Sequence, residues 1–355
     1  MTTNQYTSYP FSEFQGALQE VTSELPVPTG TEVLVRVNYC GVCHSDVHIH
    51  EGYYNLGQGK KLKFEDRGIH LPVTLGHEIV GEIVAAGENA QVAMTGPALI
   101  YPWVGCGSCS VCQRGEENLC GQPAVLGVHK PGGYSQYVMV PHPRYIVDIG
   151  NLEPAHASLL ACSGLTTFSA IKKVGTVYDD EAVVVVGCGG LGLLAIRTLS
   201  LRGVKNIIAL DLAEEKRQLA LEVGANHVFD PTTDDALERI QAAANGKCVA
   251  VLDFVGAEST VELGINLPRR GGKVIVVGLH GGEIRYPIPY VTTRAISIIG
   301  SYTGSLPEQK ELVEFAQQHD LFNFPIRTRP LKEAYSALQD LAQGKVQGRV
   351  VLDNR

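Results

Sequence analysis

The fold of this 355-residue chain is decided by one stretch, Ala182-Val183-Val184-Val185-Val186-Gly187-Cys188-Gly189-Gly190-Leu191-Gly192. Its first five residues are apolar, and the run of valines is typical of a parallel strand that is buried on both faces. Gly187, Gly189 and Gly192 then match the pattern G-x-G-x-x-G, and a helical period follows directly. Glycines at these places let the backbone approach a pyrophosphate at a helix N-terminus, where the helix dipole favours negative charge. The stretch therefore predicts the strand, turn and helix of a dinucleotide-binding unit.

A carboxylate follows the next predicted strand at the distance that such a unit requires. Residues 206–210 form that strand, and Asp211 comes directly after it. Asp211 would accept hydrogen bonds from the adenosine ribose and repel a 2′-phosphate, so we expect NAD rather than NADP. The alternative role for Asp211 is the N-cap of the helix that follows. We also assign Gly190, Leu191 and Leu212 to the nucleotide site.

Strands and helices alternate beyond this point. Strands are predicted at 249–255, 273–279 and 296–300, and helices at 214–223, 236–244 and 260–267. This alternation predicts a doubly wound parallel sheet of the Rossmann type, whereas the N-terminal part alternates apolar and polar residues and is β-rich. We predict a dinucleotide-binding domain at 159–298. The second domain would combine residues 1–158 with the tail, 299–355.

Four cysteines occur together in one short segment, namely Cys106, Cys109, Cys112 and Cys120. Four thiolates can complete a tetrahedral zinc shell with no open position, so the segment is predicted to be a structural zinc lobe. The segment carries no basic surface of the kind expected in a nucleic-acid-binding zinc ribbon. The alternative is four unrelated free thiols.

A second group of candidate ligands lies in the run Cys43-His44-Ser45-Asp46-Val47-His48. Zinc accepts thiolate and imidazole, and a hydroxyl beside the metal could contact a substrate oxygen. Taken alone, the run could equally be a buried cysteine followed by a polar turn. His77 could likewise be a core histidine, but the presence of Cys43 upstream favours a shared metal ion.

Composition and charge narrow the class of protein. The net charge of −8, from 29 basic and 37 acidic residues, argues against nucleic acid or an anionic membrane as the main partner. The N-terminal residues lack the basic and apolar regions of a signal peptide, and apolar stretches are interrupted too early to span a bilayer. Nine cysteines without a secretion signal favour metal binding over disulfides. We therefore expect a cytoplasmic, metal-using protein.

The combination resembles the zinc-dependent alcohol dehydrogenases of the medium-chain dehydrogenase/reductase superfamily over nearly the whole chain. The signature G-H-E-x2-G-x5-G is present as Gly76-His77-Glu78, Gly81 and Gly87, and the cysteine lobe and nucleotide turn follow in the family's order. The resemblance implies a β-rich, GroES-like catalytic domain that carries the structural zinc lobe, joined to a Rossmann domain. It also implies NAD and two Zn²⁺ ions per chain, one catalytic and one structural.

Carried over to this chain, the resemblance assigns the catalytic zinc to Cys43, His77 and Cys162. Glu78 would lie behind the metal and can enter its shell in relatives. Asp46 matches the carboxylate that holds the ring of the ligand histidine, a partner that metal-bound histidines generally have.

The resemblance also assigns the proton relay and the cofactor contacts. Ser45 matches the hydroxyl that bonds the alcohol oxygen, and His48 matches the far end of the relay, reached through the nicotinamide ribose. The further cofactor contacts would be His44 at the pyrophosphate, Thr166 near the nicotinamide, Lys216 at the adenosine ribose and Arg349 at the pyrophosphate. The substrate pocket would be lined by Tyr54, Trp103, Leu126 and Tyr302, although aromatic side chains often belong simply to a core.

The implied reaction is reversible oxidation of a small primary or secondary alcohol to an aldehyde or ketone with NAD. A polyol or sugar dehydrogenase of the same superfamily is the nearest alternative, although those enzymes often replace the third thiolate, here Cys162, by a carboxylate. A zinc-free quinone reductase would lack the three ligands. From another class, the alternative is a non-catalytic protein that binds zinc and a nucleotide.

Two further expectations concern local geometry and assembly. The stretch Met94-Thr95-Gly96-Pro97 departs from the Gly-Asp that relatives commonly carry before the cysteine lobe, so we expect an altered turn there. The chain also lacks an extra segment of the longer dimeric members. The resemblance therefore favours a homotetramer, with a homodimer as the alternative.

Overall fold

The structure is a computed structural model that describes residues 4–92 and 95–355. In the N-terminal part the elements are β1 (Gln5–Ser8), β2 (Val21–Glu24), β3 (Val33–Gly41), α1 (His44–Glu51), β4 (Tyr53–Asn55), β5 (Lys61–Lys63), β6 (Glu78–Ala86), β7 (Pro97–Ile100), α2 (Ser110–Gln113), β8 (Tyr137–Val140), β9 (Ile146–Asp148), α3 (Pro154–Ser158) and α4 (Ser163–Val174). The nucleotide-binding part contains β10 (Ala182–Val186), α5 (Gly190–Leu201), β11 (Asn206–Leu210), α6 (Glu214–Val223), β12 (His227–Phe229), α7 (Ala236–Ala243), β13 (Cys248–Asp253), α8 (Glu258–Asn266), β14 (Lys273–Val276), α9 (Ile288–Arg294) and β15 (Ser297–Gly300). The tail adds α10 (Leu306–Gln318), β16 (Ile326–Pro330), α11 (Ala334–Ala342) and β17 (Arg349–Asp353).

Six parallel strands form one sheet in the order β12-β11-β10-β13-β14-β15. In the central strand β10, Val183 and Val185 pack into the apolar layer on one face, and Val184 and Val186 pack into the layer on the other. The run of valines is therefore buried on both faces, which confirms the doubly wound sheet. Two short elements, β12 and α9, were not predicted because neither is long enough to show an apolar period.

The second large sheet has the order β16-β17-β3-β6-β7-β9, with β8 also paired to β3. Strand β17 pairs antiparallel with β3, so the C-terminal tail returns to the N-terminal sheet. Strand β15 spans the predicted domain boundary at 298/299 and pairs with β14. The boundaries at 158/159 and 298/299 stay predictions.

Two local structures differ from what the sequence predicts. Residues 52–71 carry glycines and lysines without a clear apolar period, which predicts a surface loop, but they contain the short antiparallel hairpin β4–β5, whose three-residue strands are too short for a visible period. Residues 153–174 have a helical pattern, which predicts one helix, but a 3₁₀ turn at Leu159–Ala161 divides it, and Cys162 lies at the break. Met94, in the stretch expected to form an altered turn, lies outside the described residues. Within those residues, no helix has the length and hydropathy needed to cross a bilayer.

Candidate metal centres and active-site cleft

Three separate segments bring Cys43, His77 and Cys162 together. Cys43 is the N-cap of α1, His77 directly precedes β6, and Cys162 lies between the 3₁₀ turn and α4. The two Sγ atoms are 3.9 Å apart, the three potential ligand atoms lie within 4.8 Å of one another, and all three residues are buried. Two sulfurs bound to one zinc ion at about 2.3 Å with a tetrahedral angle would be about 3.8 Å apart. The triad therefore fits zinc and leaves a fourth position for substrate.

The His77 ring is oriented by Asp46. Its Nδ1 lies 3.1 Å from Asp46 Oδ1, and both residues are fully buried. Among the described residues neither buried ring nitrogen has a hydrogen-bond partner, so Nδ1 is held by the charge of Asp46 and Nε2 is left to face a metal ion. Asp46 Oδ2 also accepts a hydrogen bond of 3.0 Å from the Cys43 backbone N–H, so one carboxylate caps α1 and holds a metal ligand.

The two thiols of the triad influence each other. A hydrogen bond from the Cys162 thiol holds the pKa of Cys43 well below its usual range, although burial opposes this change. The same bond, together with burial, raises the pKa of Cys162 well above its usual range. The pair by itself therefore retains one proton, which must leave when a metal ion takes both sulfurs.

The four-cysteine segment forms a compact second cluster. The Sγ–Sγ distances are 3.9 Å for Cys106–Cys112, 3.5 Å for Cys109–Cys112 and 3.9 Å for Cys109–Cys120. A Cβ atom at Gly105 would lie 2.6 Å from Cys112 Sγ, so glycine is needed for the chain to pass so close to the cluster. These distances fit a closed shell of four thiolates around one zinc ion.

Behind the triad lies a buried ion pair. Glu78 Oε2 contacts the Arg349 guanidinium, and Glu78 Oε1 accepts a hydrogen bond of 2.9 Å from the Ser163 backbone N–H. Burial raises the pKa of Glu78 to about 7, although Arg349 opposes the rise. Arg349 also donates to the Val42 carbonyl at 3.0 Å, and its side chain packs against Gly190. Arg349, assigned to the pyrophosphate from the sequence, thus contacts the nucleotide turn with its aliphatic part.

Ser45 and His48 lie on α1 and line the same cleft as the triad. The His48 ring packs edge-on against Tyr54 at 5.6 Å between centroids, and its Nδ1 lies 3.5 Å from Glu51 Oε2. His44, on the preceding turn, is exposed and also lines the cleft. Helix α1 was not predicted, and it places these three side chains along one wall.

The nucleotide turn lines the same cleft as α1. Gly187 has φ +88°, and a Cβ atom at Gly192 would lie 1.8 Å from the Gly187 carbonyl oxygen, so both positions require glycine. Asp211 accepts hydrogen bonds from the backbone N–H groups of Cys188 at 2.8 Å and Ala213 at 3.0 Å. The N-cap of α6 is Ala213 rather than Asp211, so the capping alternative does not describe the structure.

Most of the remaining residues that were assigned to the cofactor line the cleft, and one does not. Thr166 and Lys216 line the cleft, and Thr166 Oγ1 lies 4.0 Å from Cys162 Sγ. Gly189, Gly190 and Leu191 also face the cleft. Leu212 is 66% exposed and lies outside it.

The cleft has a volume of about 1630 Å³. Trp103 donates from Nε1 to the Ala161 carbonyl at 3.0 Å, and its ring lies 5.6 Å from His77 and 5.8 Å from Tyr302. Tyr54 also lines the cleft, whereas Leu126 is buried in the core beside it. The lining residues that sequence reasoning missed include Phe64, Arg67, Ile69 and His129. Phe64, Arg67 and Ile69 belong to residues 52–71, which the sequence predicts to be a surface loop. The aromatic residue Phe64 was the signal that part of this segment could be buried.

Comparison with known proteins agrees with this architecture. Residues 29–151 match the family described as alcohol dehydrogenase GroES-like domain, and residues 190–318 match the family described as zinc-binding dehydrogenase. An NAD-dependent alcohol dehydrogenase of Saccharolobus solfataricus is 35% identical over 338 residues, which cover 95% of this chain and 96% of that protein. A D-arabinose 1-dehydrogenase (NADP(+)) of the same organism is 30% identical, with 92% of each chain covered.

A solved structure has the same fold throughout. The alcohol dehydrogenase of Aeropyrum pernix superimposes with a TM-score of 0.88 and 32% identity, covering 98% of this chain and all of that one. Because the family matches cover both halves of the chain and the relative from Saccharolobus solfataricus is 35% identical over 95% of it, the chain belongs to the zinc-dependent alcohol dehydrogenases of the medium-chain dehydrogenase/reductase superfamily.

Proposed function

We propose that this enzyme reversibly oxidises a primary or secondary alcohol to an aldehyde or ketone, with NAD as the hydride acceptor. The observation that carries the proposal is the convergence of the buried Cys43–His77–Cys162 triad and the glycine-rich nucleotide turn on one cleft. The triad would hold the alcohol, and the glycine-rich turn at the N-terminus of α5 would hold the pyrophosphate of the dinucleotide, so both reactants would be bound in one cleft.

The residues of the triad would hold the catalytic zinc, while the four-cysteine lobe would hold the structural one. When bound, the catalytic zinc supplies a Lewis acid that polarises the substrate oxygen and eases loss of its proton. Asp46 keeps the His77 ring in the orientation that presents Nε2, and it fixes the start of α1, from which the catalytic side chains project.

Ser45 is proposed to accept the proton of the alcohol through its hydroxyl, and His48 is proposed to pass that proton toward solvent. The support is their common position on the cleft-facing side of α1, together with the half-buried state of His48. Trp103 and Tyr302 would exclude water from the reacting carbon.

Asp211 and Lys216 are proposed to bind the adenosine ribose, and His44, Thr166 and Arg349 to support the rest of the cofactor. Both Asp211 oxygens already accept backbone hydrogen bonds, which fixes the carboxylate where a 2′-phosphate would be repelled. Asp211→Gly should therefore raise kcat/KM with NADP relative to NAD by about tenfold or more. Unchanged relative use of the two cofactors would contradict this role.

The direct test of the function follows NADH absorbance with a panel of primary and secondary alcohols, and measures zinc content. We expect turnover with NAD and two zinc ions per chain. One zinc ion per chain and no turnover would instead support a non-catalytic zinc- and nucleotide-binding protein.

A sugar or polyol dehydrogenase is the second candidate function. It is favoured by the similarity to the D-arabinose 1-dehydrogenase and by a solved D-arabinose dehydrogenase structure from Sulfolobus solfataricus, with a TM-score of 0.83 and 26% identity. The aromatic rings that surround the triad favour simple or aromatic alcohols instead. Higher kcat/KM for pentoses or sorbitol than for benzyl alcohol would support the second candidate.

The enzyme is further proposed to be a cytoplasmic homo-oligomer, a tetramer rather than a dimer. None of the nine cysteines, all of which lie within the described residues, forms a disulfide, as expected in a reducing compartment. Strand β15 is the last strand of its sheet and exposes Ile298, and the nearby α9 exposes Ile288 and Tyr290. An apolar edge of this kind is suited to pairing with a second copy of the chain. Light scattering should give the mass of four chains, and a monomer would contradict the proposal.

A further inference from the structure

The outer part of the cleft contains a cation that the proposed reaction does not use. Arg67 ends the 3₁₀ turn Glu65–Arg67, is exposed, and lines the cleft. Its guanidinium carbon lies 5.6 Å from the centroid of the Tyr54 ring. Within residues 4–92 and 95–355, no carboxylate lies within 4.0 Å of this guanidinium, including those of the adjacent Glu65 and Asp66. The donors of Arg67 are therefore not committed to an ion pair within the chain.

Two rows of packed aromatic rings line the cleft. In one row, Trp103 packs 5.6 Å from the ligand His77 and 5.8 Å from Tyr302. In the other, Tyr54 packs 5.6 Å from His48 and also lies beside Arg67. A substrate that places its hydroxyl at the triad would therefore have aromatic rings beside the part of its chain that extends toward Arg67.

The charge of Arg67 acts on both tyrosines. Burial raises the pKa of Tyr54 to about 12 and also raises the pKa of Tyr302, and in both cases the positive charge of Arg67 opposes the rise. Tyr54 is the phenol that packs against the guanidinium, so an anion bound to Arg67 would lie beside the Tyr54 ring.

We propose that Arg67 binds a carboxylate at the far end of the substrate, so that the enzyme prefers hydroxy acids with an apolar or aromatic spacer over neutral alcohols of the same size. The inference rests on the proposed alcohol dehydrogenase function. The planar guanidinium matches a carboxylate through two parallel hydrogen bonds. The Asp66 carboxylate, next to Arg67 in the chain, also lines the cleft and would repel a doubly charged phosphate more strongly than a monoanion.

The test compares substrates that differ only at the end remote from the hydroxyl. The pairs are 4-(hydroxymethyl)benzoate with 4-(hydroxymethyl)benzamide, and 6-hydroxyhexanoate with 6-hydroxyhexanamide. We expect kcat/KM for the acid of at least one pair to exceed that for its amide by about tenfold at low salt, mainly through KM. The preference should weaken as salt is added, because the site is open to solvent. 4-(Hydroxymethyl)phenyl phosphate serves as the dianionic comparison.

Two variants and a matched control locate the effect. In Arg67→Gln the ratio of acid to amide should fall to about one, and in Arg67→Lys it should be intermediate, since lysine keeps the charge without the planar fork. Lys61→Gln removes a cation that lies 3.6 Å over the ring of the neighbouring Tyr53 but does not line the cleft. That variant should keep the ratio of the wild-type enzyme.

The outcomes separate this inference from the function on which it rests. Oxidation of both amides with no preference for either acid overturns the carboxylate site and leaves the alcohol dehydrogenase function intact. A preference that survives in Arg67→Gln, or a higher kcat/KM for the phosphate than for the benzoate, also overturns the assignment. Failure to oxidise any alcohol in the panel overturns both proposals.

Discussion

The two cysteine clusters use the same ligand chemistry but are assembled in opposite ways. The structural cluster takes all its thiols from residues 106–120, and Cys106 is exposed. The catalytic triad takes its ligands from three segments, with Cys43 and Cys162 separated by 119 residues, and every ligand is buried. One cluster closes its metal shell locally, whereas the other needs the folded protein to bring three ligands to the base of a cleft. The comparison suggests that the first site supports stability and the second supports reaction.

The largest effect is expected at the open site. Cys43→Ser should lower kcat/KM by about three to five orders of magnitude, the range seen when an essential catalytic group is removed. Zinc content should fall from two ions to one per chain, because serine replaces a thiolate ligand. NADH absorbance and metal analysis measure the two effects. Turnover at the wild-type rate by this variant would contradict the assignment of the triad. Cys248→Ser, which lies outside both clusters, serves as the control.

A smaller effect is expected from the residue behind the triad. Asp46→Asn keeps the shape of the side chain but removes the charge beside His77 Nδ1, so kcat/KM and the affinity of the catalytic site for zinc should fall by about 10- to 100-fold. Timed loss of activity in the presence of a chelator measures the second effect. Glu82→Gln, on the surface of β6, provides a matched control. If Asp46→Asn retains metal and activity like the control, Asp46 does not orient the ligand.

The closed site should respond in stability rather than in turnover. Cys109→Ser removes one of four thiolates from a lobe with little apolar core, so the midpoint of thermal unfolding should fall by roughly 5–10 °C. Activity at 25 °C should change far less than in Cys43→Ser. Differential scanning calorimetry and the same NADH assay give both values. A loss of turnover as large as in Cys43→Ser would erase the distinction between the two sites.

The smallest expected effect is a difference in how readily a chelator reaches the two metal sites. A bidentate chelator such as 1,10-phenanthroline can enter the open fourth position of the triad, so it should inhibit before it removes the structural ion. Saturating NAD should slow this inhibition a few-fold, because the cofactor occupies the same cleft. Equal loss of both zinc ions with time, with no protection by NAD, would contradict this difference in access.

Much of the fold could be predicted from local pattern. The valine run of β10 with its glycine turn indicated a parallel sheet, and the structure has α6 at the predicted bounds, Glu214–Val223. β10 was predictable because it is an uninterrupted apolar run that leads into glycines, and α6 because it is long enough to show a helical period. The hairpin β4–β5 was missed because its strands are three residues each, and with it the cleft-lining positions Phe64 and Arg67.

The candidate sites also differ in how much of each could be predicted from local sequence. The sequence alone determined the four-thiol lobe, because its ligands are spaced for one ion, and the nucleotide turn, because strand, glycines and helix are contiguous. Only the tertiary structure decided that Cys162 meets Cys43 and His77, that Leu126 belongs to the core, and that Glu78 pairs with Arg349. The physical reason is the distance along the chain between the residues that meet. A local sequence pattern indicates only contacts between residues that are close together in the chain. An open, buried metal site depends instead on how distant segments pack.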